Sequence, residues 1–203
     1  GIIAGRLRER YHKPSFVLTR GEEGVKGSGR SIESYSMYEK LCECKEYLTK
    51  FGGHPMAAGL SLEKENVERF RRKLNEQSGL TEEDLVEKVT IDVPMPIHYI
   101  RKDLVQELSL LEPFGKGNEK PLFAQKNLWI SQMRVFGKNR NVVKMRLTDE
   151  NGYPMDGVYF GNGDEFAEEG RGKRKISIVY YPDINMYQGR ESLQVIIRHY
   201  QFE

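Results

Sequence analysis

Two short clusters hold the residue types best suited to gripping a phosphate. The first is Gly27-Ser28-Gly29-Arg30-Ser31. Its small residues let a ligand approach the backbone closely, its hydroxyls can donate, and the arginine can fork onto a phosphate with two hydrogen bonds. The plain alternative is a hairpin strand ending in a glycine-rich turn with a surface arginine, and strings of this kind are common. The second cluster is Phe51-Gly52-Gly53-His54-Pro55-Met56-Ala57-Ala58-Gly59. Here Gly52 can cap a helix and Gly53 can leave amide N–H groups facing an anion. His54 can then donate to a phosphate or a developing oxyanion. Its plain alternative is a helix cap followed by a packed strand, with the imidazole bonded to its own backbone.

The C-terminal half carries a different set. Arg134, Lys138 and Arg140 surround a turn, Lys144 and Arg146 alternate along a strand, and Tyr187 with Arg190 sits in the last hairpin. A basic groove with exposed aromatic rings is what a single-stranded nucleic acid requires. Lys144 and Arg146 are the strongest of these, because strand alternation turns both to one face. Tyr159 and Phe160 read equally as stacking rings or as core. The basic loop Gly170-Arg171-Gly172-Lys173-Arg174-Lys175 follows Asp164, Glu165, Glu168 and Glu169, which can offset it and leave only a solubilising surface.

Metal chemistry finds little to work with. Two-metal phosphoester hydrolysis needs several clustered carboxylates and histidines, whereas His12, His54, His98 and His199 are scattered. Glu82-Glu83-Asp84 reads as a solvated helix start. No catalytic residue, metal ligand or cofactor is therefore expected in this chain. Cys42 and Cys44 would point in different directions on a helix, so they cannot bridge each other, and they lack zinc spacing. Reduced thiols, no apolar run long enough for a membrane span and no signal peptide predict a cytoplasmic protein without membrane partners. Opening on Gly1-Ile2-Ile3 without methionine, the chain reads as the C-terminal part of something longer.

Elements able to position these residues follow from periodicity. Residues 1–12 predict a helix ended by Lys13-Pro14. Strands are expected at 14–19 and 25–31, joined through Gly21-Glu22-Glu23-Gly24. Ser34 is a candidate cap for a helix carrying Met37, Leu41, Cys44, Leu48 and Phe51 on one stripe, with Gly52 at its end. A strand at 56–62 and a helix at about 64–77, with Val67, Phe70 and Leu74 inward, complete this lobe. Beyond it come a strand at 89–93, a helix at 101–111 and then five strands. A short helix at 164–169 falls between the third and fourth of these, the pattern of an OB barrel. Hydrophobic residues at 38% are enough for real cores, and a net charge of +2 predicts no binding surface except by local clustering.

In order, Ser28-Gly29-Arg30-Ser31, a helix, Gly52-Gly53-His54 and the Ala57-Ala58-Gly59 strand resemble the DHH-associated domain of RecJ-type exonucleases and the wider DHH phosphoesterase superfamily. Leu111-Glu112-Pro113-Phe114-Gly115-Lys116-Gly117-Asn118-Glu119-Lys120-Pro121-Leu122-Phe123 resembles the stretch entering the RecJ OB domain. Residues 185–197 resemble its final hairpin. The resemblance covers nearly the whole chain and implies an α+β protein. An α/β DHH-associated lobe with a mixed sheet and flanking helices (1–85) would precede a five-stranded OB barrel (89–203), joined by the 101–111 helix.

It implies that Ser28, Gly29, Arg30, Ser31, Gly52, Gly53 and His54 bind substrate phosphate. Arg134, Lys138, Arg140, Lys144, Arg146, Tyr187 and Arg190 would hold the strand. The parent would be a 5′-to-3′ single-stranded-DNA exonuclease of recombination and repair, using manganese or magnesium in an N-terminal DHH catalytic domain absent from this chain. Its partners would be single-stranded DNA, that domain and other repair proteins, and this portion alone would be inactive. The alternatives are a RecJ-like RNase or oligonucleotide phosphodiesterase, and a non-catalytic OB module that docks a protein.

Overall fold

Residues 1–21 and 24–203 are described by a computed structural model, and Glu22 and Glu23, at the centre of the first expected hairpin, lie outside them. The described chain divides into two compact units, residues 1–88 and 89–203.

The first unit contains α1 (Ile2–Tyr11), β1 (Ser15–Gly21), β2 (Gly24–Arg30), α2 (Met37–Glu43), β3 (Lys50–His54), β4 (Ala57–Leu62) and α3 (Val67–Glu76). Arg8 and Arg10 lie in the last turn of α1, where a cation favours the helix C-terminus. His12 then turns left-handed at φ 46° ahead of Lys13-Pro14, which ends the helix.

α2 is shorter than its apolar stripe suggests. It is capped by Ser36, not Ser34, with the Ser36 hydroxyl accepting from the Glu39 N–H at 3.5 Å in a Ser-x-x-Glu arrangement. After Glu43 the chain passes through a 3₁₀ turn at Lys45–Tyr47, and Leu48 is already extended. Phe51, Gly52 and Gly53 therefore belong to a strand, and Gly52 caps nothing. Leu48 and Phe51 still pack against the same core as Leu41 and Cys44, so the burial pattern continued while the backbone changed type. Paired glycines favour that change, being poor helix formers.

The sheet runs β1-β2-β4-β3 with every pairing antiparallel, where a mixed sheet was expected. The crossover β2–α2–β3 does make two strands that point the same way. β4 returns between them and removes the parallel contact. One sheet face carries the core, with Val25, Ala58, Leu60 and Leu62 packed against Met37, Leu41, Cys44 and Phe70. α3 reaches this core along one edge, through Val67, Phe70 and Leu74. The acidic run 82–84 does open a short helical turn: Thr81 and Asp84 exchange hydrogen bonds, with the Thr81 N–H and hydroxyl donating to the carboxylate at 2.9 and 2.7 Å.

The second unit contains β5 (Val93–Pro94), α4 (Lys102–Ser109), β6 (Phe123–Phe136), β7 (Val142–Thr148), β8 (Pro154–Phe160), α5 (Gly163–Glu169), β9 (Lys175–Tyr187) and β10 (Arg190–Phe202). The strand expected over 89–93 shrinks to two residues beside Phe123–Ala124, since Pro94 and Pro96 supply no N–H for a longer ladder. α4 stops at Ser109, leaving Leu110 and Leu111 exposed. The Asn118 amide ties the following loop by donating to the Leu111 and Pro113 carbonyls.

Five long strands pair in the order β6-β7-β8-β10-β9, and β9 pairs again with β6, so each has two neighbours. All ladders are antiparallel except β8 with β10. This is the strand order of an OB fold, with α5 between the third and fourth strands. Alternation fills the interior: Val143, Met145 and Leu147 from β7 and Ile176, Ile178 and Tyr180 from β9 are buried. Register shifts at Gln125/Leu128 and Ile130/Gln132 let the long β6 serve two partners. Phe166 of α5 is fully buried against Tyr159, Tyr200 and Phe202, with ring centroids 4.8, 4.4 and 5.0 Å away.

Candidate nucleic-acid interface

In the first unit the residues expected to hold phosphate share the sheet face opposite the core. Arg30 lies directly opposite Ala57 of β4, and Ala57 directly opposite His54 of β3. In the next row Ser28, Gly59 and Gly52 stand in line. Residues directly opposed on neighbouring strands project to the same side. Two strand spacings separate Arg30 from His54, about 10 Å, with only the Ala57 methyl between them.

The His54 ring accepts the Met56 N–H at Nδ1, 3.3 Å away, so its proton sits on Nε2, ready to donate away from the loop. The backbone contact fixes the ring through one nitrogen and does not involve the other. Arg30 is half-buried, with Nη1 donating to the Gly29 carbonyl at 2.8 Å. α1 lies against β1 and β2 on this side, and a methyl built on Gly1 would come within 2.9 Å of Arg30 Nη2.

Three of the expected residues do other work. Ser31 is buried, its hydroxyl donating to the Tyr35 carbonyl and its N–H to the Met56 carbonyl at 2.9 Å. It ties the loop behind Arg30 and is closed to a ligand. Gly29 faces the core, where a Cβ would meet the Phe16 ring at 2.6 Å. Gly53 holds φ +154°, which would drive a Cβ to 2.6 Å from Ala58 Cα. These glycines let the sheet form and pack, while Gly52 and Gly59 lie on the open face.

On the second unit the outer face of β6, β7 and β8 gathers three of the strand-holding candidates, Arg134, Lys144 and Arg146, while Lys138 and Arg140 lie in the loop between β6 and β7. Arg134 opposes Lys144, and Gln132 opposes Arg146. One row along, Phe136, Val142 and Phe160 stand in line, with both phenylalanines exposed (45% and 60%). The Lys144 ammonium is 5.9 Å from the Phe136 ring. A depression of about 270 Å³ is lined by Arg134, Phe136, Lys144 and Arg146, and by Asn185, Ser192 and Gln194 of the β9–β10 hairpin. At that hairpin's tip Tyr187 pairs with Arg190 across Gln188 and Gly189, both at positive φ, as a two-residue turn requires. Tyr187 is 68% exposed.

The charges divide. Arg146 is held by Asp156 at 2.6 Å and Arg140 by Asp164 at 2.6 Å. Arg134, Lys138, Lys144 and Arg190 have no ion-pair partner among the described residues. Arg171 pairs with Glu168 at 2.7 Å, in keeping with a solubilising loop. Of the two undecided rings, Tyr159 packs on Phe166 and Tyr200 while Phe160 turns outward. Sequence reading missed Phe136, and with it Asn185, Ser192 and Gln194. Period-two counting onward from Gln132 and Arg134 finds Phe136; the three hairpin residues needed the β8–β10 pairing.

Among the described residues no group of three or more His, Cys, Asp and Glu side chains is placed to hold a metal ion. No helix among them is long and apolar enough to cross a membrane.

Comparison with known proteins matches residues 91–199 to the RecJ OB domain and residues 1–79 to the DHHA1 domain. The single-stranded-DNA-specific exonuclease RecJ of Bacillus subtilis is 38% identical over 204 residues, covering 98% of this chain and 25% of the relative. Its Escherichia coli counterpart is 33% identical over 205 residues, covering 97% of this chain and 35% of the relative. The chain thus spans about a quarter to a third of the length of these relatives. In fold it is similar to RecJ of Thermus thermophilus, crystallised with Mg2+, at a TM-score of 0.80 and 24% identity, over 99% of this chain and 30% of that one.

Proposed function

The chain belongs to the RecJ family, and from that premise we propose that it supplies the substrate grip of a 5′-to-3′ single-stranded-DNA exonuclease acting in recombination and repair. The observation that carries this reading is the outer face of the OB unit. Uncompensated Arg134 and Lys144 lie beside two exposed rings, Phe136 and Phe160, with Tyr187 and Arg190 on the neighbouring hairpin. Cations track a phosphate backbone, and flat rings take bases of any sequence by stacking.

In the first unit Arg30 and His54 hold one phosphate between them, the arginine as a fixed cation and the histidine through Nε2–H. Ser28, Gly52 and Gly59 form the floor beside that phosphate, and Ser31, Gly29 and Gly53 hold the floor in place. Hydrolysis belongs to a DHH domain in the longer protein, where manganese or magnesium would bind. The Thermus structures, in complex with Mg2+ and with Mn2+, support that choice of metals. Within this chain no step passes through a metal, and the chain by itself binds DNA without cutting it. Reduced thiols and a DNA substrate suit a cytoplasmic setting.

Fluorescence anisotropy of a labelled single strand, titrated with salt, tests this reading. Duplex and RNA strands serve as controls. Affinity is expected to fall with a slope near −0.7 for each phosphate engaged. Phe136→Ala or Phe160→Ala is expected to cost about 1–3 kcal/mol for each base stacked. Equal binding of duplex, or indifference to both substitutions, would refute a single-strand grip at this face. Tighter binding of RNA would move the family's substrate here to RNA.

A further inference from the structure

The open face of the first sheet continues past the Arg30–His54 row. Two residues further along β2 and β3, beyond Ser28, Gly59 and Gly52, stand Lys26, Ser61 and Lys50, again directly opposed across β4. Lys26 and Lys50 are exposed, and neither has an ion-pair partner among the described residues. They line a shallow depression of about 390 Å³ with Gly52, Gly59 and Ser61.

We propose that Lys26 and Lys50 form a second backbone-phosphate subsite, so that a nucleic-acid strand runs along β4, beside α1, over the glycine floor from the Arg30–His54 row to the lysine row. This rests on reading Arg30 and His54 as a phosphate clamp. Four residues of strand separate the two rows, about 13 Å, which an extended strand covers in a few nucleotides.

Lysine on an edge strand often serves only to discourage pairing with other chains. That accounts for Lys50, since β3 is an edge, but not for Lys26, since β2 lies inside the sheet between β1 and β4. Two lysines on one sheet face, flanking Ser61, set the sign of the ligand as anionic.

The floor fixes how near that ligand can come. A Cβ at Gly52 would meet nothing within 4 Å, and one at Gly59 only the Gly27 carbonyl at 3.9 Å. Neither glycine holds a positive φ. The fold would accept side chains at both positions, and glycine inside a strand is unfavourable to stability. What their absence preserves is close access from outside, along the line joining the two cationic rows.

The test uses the 203-residue chain labelled with 15N. The amide signals of Gly52 and Gly59 are followed during titration with a thymidine mononucleotide and a 5′-phosphorylated tetranucleotide. The tetranucleotide is expected to bind more tightly than the mononucleotide. In the Lys26→Ala/Lys50→Ala variant this advantage is expected to collapse, with the salt slope for the tetranucleotide reduced by about 0.7, for the one phosphate no longer neutralised. Gly52→Val, which adds bulk on the floor without a protein clash, is expected to block the tetranucleotide while the melting temperature holds or rises. Should Arg30→Ala abolish binding of both ligands while the lysine variant keeps the full tetranucleotide advantage and slope, the clamp stands and the second subsite is overturned. Should neither ligand move the two glycine signals, the clamp and the subsite fall together.

Discussion

Adjacent glycines in β3 should respond oppositely to the same substitution. Gly53 holds φ +154°, where a Cβ would lie 2.6 Å from Ala58 Cα and 2.8 Å from Ala58 Cβ, closer than real Cβ atoms approach. Those are atoms of the central strand β4, so the clash cannot be relieved by turning a side chain. Backbone conformations open essentially to glycine alone cost about 1–3 kcal/mol for other residues. With displacement of β4 added, Gly53→Ala is expected to destabilise the first unit by about 2–3 kcal/mol. Gly52→Ala meets open space at an ordinary φ and should stabilise the same unit by about 0.5–1 kcal/mol, by narrowing the unfolded ensemble. The single tryptophan, Trp129, lies in the second unit and reports on that unit. The first is therefore followed by hydrogen exchange of the β4 amides of Ala58 and Leu60. A Gly53→Ala variant with native protection, or equal losses from both substitutions, would refute the assignment of the two glycines to different tasks.

Three further outcomes are expected. Burial opposes the charge on Asp149, but N–H donors from Tyr153 and Asn151 and the His98 ring outweigh it and hold the carboxyl below its ordinary range. A lowered carboxylate stabilises the fold fully above its unfolded pKa, about 3.9, and that stability is lost as pH falls through the folded value. Trp129 emission in urea should therefore show the second unit weakening below about pH 4. Asp149→Ala should remove about 2–3 kcal/mol at neutral pH and flatten the acid dependence. Asp156→Asn releases Arg146 from its 2.6 Å partner and should tighten single-strand binding and steepen its salt slope; unchanged binding would remove Arg146 from the interface. Burial pushes the Cys44 thiol up to about 11, so alkylation at neutral pH should modify Cys42 readily and Cys44 only on unfolding, as counted by mass spectrometry.

The OB half was legible because its strands alternate cleanly. Val143, Met145 and Leu147 inward with Lys144 and Arg146 outward left a single choice of face. The short helix expected at 164–169 is present as α5, though its core residue Phe166 was not singled out. The first lobe was harder, since Leu48 and Phe51 fit a helical stripe and a following strand equally well when both face one core. Ser34 and Ser36 are equivalent caps by type, and only the helix start distinguishes them. Ser31 was misplaced because a hydroxyl beside an arginine looks available until its neighbour Ile32 carries it into the core. The pairing of Arg146 with Asp156, and of His98 with Asp149, depends on which strands or loops meet. That information lies in register, and nothing local in the sequence records it.

The pairing of β6 with β9 has a consequence for synthesis. Phe123 finds its partner in Tyr180, and Val195 reaches Gly157 only once the last strand exists. The ring of the second unit therefore cannot assemble until nearly all of it has left the ribosome, with β6 and β8 waiting as open edges. The sheet of the first unit needs nothing beyond Leu62, and domains generally fold in order as they emerge. A nascent chain stalled once Lys88 has cleared the ribosome should already protect its β4 amides, whereas one in which β10 has not emerged should leave the β8 amides that face it open to exchange.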